Sequence, residues 1–274
     1  MKKLLFTPLI VCSTLCFANP DPAQVDWSDA FSNKREAGGF LALGLGLHNG
    51  QGLYQSAGFR LRAEVSGAYY FGSGFFIEYP GFANKFENMP TYGYNIANFG
   101  NWEFDAIISG AHGRLSSSNG RERDSTSYWG LRTIGTIAGL DAMFIYGIAP
   151  NHEEADDGQY AAAWLAKSWN IDNWLLYTSL GVQYRNAAIL NYYYGEPASA
   201  TMPEPYKAEG GVNVIYKIGA KKPLSETWLV EGFVSYTHYA SSIVDSPSAQ
   251  NTLRNFAGRS DQGSQVNLAI KYVF

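Results

Sequence analysis

The chain has 274 residues, a formal net charge of −4 from 20 Lys and Arg against 24 Asp and Glu, and only 16% charged residues beside 29 Gly, 19 Tyr, 16 Phe and 7 Trp. An acidic balance argues against nucleic acid as a partner, which favours basic surfaces. Mean hydropathy is −0.18, and no stretch beyond the N-terminus stays apolar long enough to make a membrane helix.

Lys2 and Lys3 precede an apolar run over residues 4–17, and Ala18 stands before the polar Asn19. A charged start, an apolar middle and a small residue at a cleavage point predict a signal peptide over 1–18. The run is too short to span a bilayer. Val11 and Leu15 precede Cys12 and Cys16, where lipid attachment needs a small residue. Both cysteines therefore leave with the signal, and the mature chain holds no disulfide and no thiolate. Residues 19–37 are expected to form a short periplasmic segment and 38–274 a single barrel.

From residue 38 onward the apolar residues alternate. Leu41, Leu43, Leu45 and Leu47 oppose Ala42, Gly44, Gly46 and His48; Phe59, Leu61, Ala63 and Val65 oppose Arg60, Arg62, Glu64 and Ser66. The pattern returns at 102–109, 140–148, 174–185, 211–218 and 227–237. Period two is the signature of a strand with two unlike faces. A soluble sandwich would carry Lys, Glu and Thr on its polar face, not this Gly and Ala. A greasy face toward lipid and a small or charged face toward a lumen fit an all-β, transmembrane, antiparallel up-and-down barrel.

Connections alternate in length. Short ones fall at 72–74, 100–101, 138–139, 170–172 and 221–226; long ones at 49–55, 81–91, 112–126, 150–157, 187–207 and 241–262. Short periplasmic turns and long external loops are the habit of outer-membrane barrels. The tally is about twelve strands, or ten if 73–80, 92–99 or 127–137 do not form strands.

The last strand is the clearest. Val266, Leu268, Ile270, Tyr272 and Phe274 share one apolar parity, and the chain stops on an aromatic residue. This ending is expected to serve as the C-terminal signal read by the barrel-assembly machinery. Outer-membrane lipid and lipopolysaccharide are the expected surroundings.

Charged residues on the small-residue parity are candidate lumen groups: Arg60, Arg62, Glu64, Glu103, Asp105, Asp141, Arg185, Lys217, Glu231 and Lys271, with Arg132 beside them. They could line a narrow selective channel. Mixed signs pair rather than select, and about twelve strands enclose little space, so an internal ion-pair plug is the favoured reading. Tyr192, Tyr193 and Tyr194 in a long loop could form a contact patch or anchor at the membrane rim.

Catalytic readings fare poorly. Two residues after His238 stands Ala240, not a nucleophile, and a Ser–His pair needs hydrogen-bond reach. His112, His152, Glu153, Glu154, Asp156 and Asp157 supply the types for loop chemistry, but a solvated acidic loop is the favoured reading. A lesser one is divalent cations held between lipopolysaccharide headgroups. No cofactor or metal motif is read, and no enzymatic activity is expected.

The C-terminal half resembles the MipA/OmpV family of outer-membrane proteins. The resemblance rests on Asn191-Tyr192-Tyr193-Tyr194-Gly195, Tyr206, Leu224 through Trp228, Ile243-Val244-Asp245-Ser246-Pro247 and the closing Lys271-Tyr272-Val273-Phe274. The N-terminal half matches through Gly44-Leu45-Gly46 and Tyr54, with Gly52-Leu53 where the family usually places a Pro. The resemblance implies a non-enzymatic barrel. It also implies a scaffold between a lytic transglycosylase and a murein synthase, or a surface antigen, and it carries no binding residues over. The expected function is therefore structural or scaffolding in the cell envelope; a small-solute channel and a surface adhesin are the alternatives.

Overall fold

The computed structural model describes residues 36–51, 58–113, 115–116, 122–149, 157–198, 203–247, 249–250 and 261–274. The signal, most of the 19–37 segment, Tyr54, His152, Glu153, Glu154 and Asp156 lie outside them. Twelve antiparallel strands close into a barrel. In chain order they are β1 (Gly38–Gln51), β2 (Phe59–Tyr70), β3 (Phe75–Tyr79), β4 (Thr91–Phe99), β5 (Trp102–His112), β8 (Thr126–Ile137), β9 (Leu140–Ala149), β10 (Gly158–Ile171), β11 (Trp174–Arg185), β12 (Gly211–Pro223), β13 (Trp228–His238) and β14 (Gln262–Val273). A small hairpin, β6 (Leu115–Ser116) with β7 (Glu122–Arg123), stands apart between β5 and β8. Each barrel strand pairs with its neighbour in the chain, and β14 returns to β1 with Leu45 opposite Ile270. Segments 73–80, 92–99 and 127–137 all carry strands, so the count is twelve.

Short turns gather at one end of the barrel. Ala138-Gly139 and Asp172-Asn173 link their strands with positive φ at both residues (51° and 74°; 46° and 68°). That is the twist a two-residue hairpin loop requires. The other end carries all the long connections.

The alternation read in the sequence is the lipid–lumen division. Leu41, Leu43, Leu45 and Leu47 point outward and are exposed, while Ala42 and His48 are buried inside. Leu61, Trp129, Leu131, Leu180, Ile218 and Leu268 continue the outward apolar face around the wall. A soluble protein does not expose an apolar belt on every strand; this one is a transmembrane barrel. Near the short-turn end the belt turns aromatic with Tyr69, Phe71, Phe75, Trp169 and Trp174, as a membrane interface favours.

The interior departs from a simple wet lining. Several lumen-face glycines are slots for large rings on the adjacent strand. Gly93 lies opposite Phe76, Gly181 opposite Trp164 and Gly219 opposite Tyr177. A Cβ at these glycines would meet the ring atoms at 2.2, 2.5 and 2.3 Å. Removing the Cβ lets the ring lie flat over the neighbouring backbone, a packing device known from sheet glycines. Phe76, Ile107, Tyr128, Met143, Ile145, Tyr160 and Trp164 thereby form a buried apolar core inside the barrel.

Candidate functional site

The segment 80–90 decides what the lumen can do. It was expected as an external loop, and the structure corrects this: the segment folds into the barrel. The cause is local. Strand β3 has only five residues, so the wall there is low. Pro80 follows it and Pro90 precedes β4; neither offers a backbone N–H to the ladder. Gly81 then turns inward at φ 73°, where a Cβ would sit 2.8 Å from the Ser66 Cβ.

The segment crosses the lumen and is anchored on the far wall. Lys217 of β12 donates from Nζ to the carbonyl oxygens of Phe86 (2.6 Å) and Asn84 (3.4 Å). Glu87 Oε1 accepts from the Tyr160 hydroxyl, from Gln183 Nε2 (3.1 Å) and from Trp164 Nε1 (3.4 Å). Lys85 Nζ lies 2.7 Å from Asp141 Oδ2, which also accepts from Ser168 Oγ at 3.1 Å. Phe86 packs into the apolar core. The interior is thus crossed by the chain's own loop, bound through four barrel strands.

Two charged networks also lie in the interior. Lys271 is 0% exposed. Its Nζ lies 2.5 Å from Glu231 Oε1, 3.3 Å from Glu64 Oε2 and 3.2 Å from Ser66 Oγ. Lys221 adds a second cation 3.4 Å from Glu231 Oε2, and Asn267 Nδ2 donates to Glu64 Oε1 at 2.5 Å. In the second network Arg132 donates to Asp105 Oδ2 from Nε (3.2 Å) and Nη2 (2.9 Å), and to Glu78 Oε2 from Nη1 (2.5 Å). Its guanidinium lies 4.9 Å from the Phe76 ring centroid. A bulge between Asn95 and Ala97 shifts the parity of β4. Asn95 and Asn98 consequently both turn inward, and Asn95 Nδ2 donates to Asp105 Oδ1 at 3.0 Å. Ion pairs this deep are costly to desolvate, and breaking one partner costs more than the pair gains.

The remaining candidates scatter. Arg185 is buried on β11, donating from Nε to the Ala111 carbonyl at 2.8 Å. Glu103 and Arg62 are half-buried, and Arg60 is exposed near the long-loop end of β2. Val266, Leu268, Ile270 and Phe274 point outward and are exposed. Tyr272 is half-buried, with ring centroids 5.3 Å from Trp228 and 4.8 Å from Phe274. His238 is exposed at the end of β13.

The tyrosine triplet requires a correction. Residues 187–194 form helix α1 (Ala187–Tyr194), capped by the Asn186 side chain. Tyr193 and Tyr194 are only 5% and 6% exposed, so they are neither a contact patch nor a lipid anchor. Helix α1 turns them onto the rim of β5 and β8, because Ile189 and Leu190 on the same helix must also be buried. The His112 ring stacks on Tyr193 with centroids 3.8 Å apart, and its Nε2 is 2.9 Å from the Tyr194 hydroxyl. Tyr193 donates to the Asp124 carbonyl at 2.6 Å, and burial pushes its phenol above the ordinary value. Only Tyr192 stays half-exposed, under the Arg123 guanidinium at 4.8 Å. With α2 (Ser241–Val244), whose Ser242 carbonyl accepts from Tyr206 at 2.7 Å, these loops cap the long-loop mouth.

Comparison with known proteins adds a family. The family model for the MltA-interacting protein MipA matches residues 43–274. The chain belongs to the MipA family. The matched span takes in the barrel strands, the inserted segment and both capping helices. No curated protein is matched. Among solved structures, similarity extends to outer-membrane expressed OmpT of Vibrio cholerae (11% identity, TM-score 0.42, 88% of this chain and 99% of that one). It extends also to the outer membrane channel DcaP of Acinetobacter baumannii (11%, 0.39, 89% and 99%). The translocator domain of autotransporter NalP from Neisseria meningitidis is a third (9%, 0.38, 88% and 90%). Likenesses this distant carry no functional weight.

Sequence reasoning passed over the decisive residues of this MipA-family barrel: Glu87, Tyr160, Trp164 and Gln183. One signal was available, since an apolar-acidic Phe86-Glu87 pair between two prolines is odd for a solvated loop. Among the described residues, no cluster of three His, Cys, Asp or Glu side chains is placed to hold a metal ion.

Proposed function

We propose that this chain is a non-enzymatic β-barrel protein of the outer membrane whose role is structural, serving as a membrane anchor and scaffold for murein-cleaving and murein-synthesising enzymes. The observation that carries the reading is the occupied interior: loop 80–90 is bonded across the lumen by Lys217, Glu87 and Lys85. A barrel built to pass solutes would not fill its own bore with an apolar core and two ion networks. The family description, an MltA-interacting protein, names the kind of partner, a lytic transglycosylase.

A partner on the murein side must be met at the short-turn end. The turns there, such as 172–173 and 224–227, are small. A standard interface needs about 800 Å² from each partner, so the 19–37 segment is assigned a share of the contact. The adhesin alternative loses its best residues, since Tyr193 and Tyr194 are buried. Crosslinking in native envelopes followed by mass spectrometry tests the scaffold. Lytic transglycosylase and murein synthase should be recovered on the barrel. Their absence from repeated preparations would count against the scaffold.

A further inference from the structure

Glu87 meets the far wall as a ligand meets a binding site. Its carboxylate oxygen takes a phenol O–H, an amide N–H and an indole N–H from Tyr160, Gln183 and Trp164. Beside it Lys217 holds the carbonyls of Asn84 and Phe86, with its ammonium 4.9 Å from the Trp164 ring centroid. Arg185 places a second cation 5.2 Å from the Tyr160 ring centroid. Tyr160 and Trp164 are 1% exposed and Lys217 is 7% exposed, so this set is deeply buried.

The groups turned toward Glu87 and its neighbouring carbonyls are donors or cations, while Asp141 of β9 takes the loop's Lys85. Buried donors left without acceptors, and buried cations left without an anion, are costly. This wall is therefore complementary to one kind of chemistry: a carboxylate carried on a peptide whose carbonyls lie two to three residues away. The chain's own Asn84-Lys85-Phe86-Glu87 stretch supplies that chemistry in cis. A tethered occupant competes at an effective concentration on the order of millimolar, which shields the wall from free ligand while the loop is seated.

We propose that the β10–β12 wall is a binding site for short carboxylate-bearing peptides, with Glu87 as its tethered occupant, and that displacement of the loop opens the barrel. This does not depend on the scaffold reading. The closed protein is the self-liganded form, and a carboxylate-bearing peptide arriving in sufficient amount exchanges with the loop.

The test uses the full-length protein refolded into planar bilayers, with folding of each variant checked by heat-modifiable migration. One variant replaces residues 82–88 with a Gly-Ser linker; a milder one is Glu87→Ala. The linker variant should conduct steadily, since the crossing segment and its bonds to Lys217 and Asp141 are gone. The probe is the acetylated, amidated peptide Asn-Lys-Phe-Glu. It should block that current in a saturable way, since no seated loop competes with it. The same peptide with Gln for Glu should be weaker by about tenfold, as loss of a charge-assisted contact implies. Adding Tyr160→Phe, which removes the hydroxyl that donates to Glu87, should narrow the difference between the two peptides. Should the linker variant not fold, Glu87→Ala serves: it should bind the Glu peptide several-fold more tightly than wild type does. A folded linker variant blocked equally by both peptides, or by neither, overturns the proposal. Equal binding by Glu87→Ala and wild type does the same.

Discussion

Replacing Lys271 with Met should damage the barrel interior severely. The ammonium is fully buried and serves two carboxylates, Glu231 at 2.5 Å and Glu64 at 3.3 Å. Removing one member of a buried ion pair costs about 3–5 kcal/mol, because the partner charge stays behind unpaired. Here the lower part of that range applies. Glu231 keeps Lys221 at 3.4 Å, and Glu64 keeps the Asn267 donor at 2.5 Å. The expected loss is therefore about 3 kcal/mol, roughly a hundredfold in the folding equilibrium. Reversible urea unfolding in lipid vesicles, followed by tryptophan fluorescence, measures it. Adding Glu64→Gln to Lys271→Met removes one stranded charge and should recover about half the loss, a coupling expected between residues in contact. A single variant within about 1 kcal/mol of wild type, or no recovery in the double variant, would refute this assignment of the network.

Other outcomes follow from the same geometry. Gly181→Val puts side-chain atoms where the Trp164 ring lies, with Cβ 2.5 Å from ring carbon, and should cost at least about 2 kcal/mol as overpacking; unchanged unfolding would show that the ring has room to move. Deleting Phe274, which is 60% exposed beside Tyr272, should lower the amount assembled in the outer membrane while leaving in vitro refolding nearly intact. Equal assembly of both forms, read by heat-modifiable migration from cells, would remove its signal role. Deleting residues 21–34 should spare the barrel and reduce crosslinks to murein enzymes; unaltered crosslinking would place the contact on the turns alone.

The wall of this molecule is legible in its sequence, and its contents are not. Period two fixes which side of each strand meets lipid, because a one-residue slip would turn Leu41, Leu43, Leu45 and Leu47 inward all at once. The alternation of short and long connections likewise follows from hairpin chemistry, as Ala138-Gly139 and Asp172-Asn173 show. What fills the lumen depends on contacts between residues far apart in the chain. Glu87 reaches Trp164, His112 reaches Tyr194, and Lys217 reaches Phe86; no local pattern names these partners. Gly181 and Gly93 read as bland lining until the rings of Trp164 and Phe76 are seen lying over them. Most of these charges were visible on the inward parity, though Glu78 and Lys221 were passed over and Arg60 is exposed. Their division into a Lys271 group and an Arg132 group follows from register, which places Asp105 opposite Arg132 and Gly44 opposite both Glu64 and Lys271.

The claim that this barrel is closed by its own loop is tested most directly by single-channel recording of the wild-type protein. Refolded into planar bilayers at neutral pH without added peptide, it should be electrically silent across a wide voltage range. Steady, reproducible unit conductance from the wild-type barrel would contradict the closure, and with it the structural role built on it.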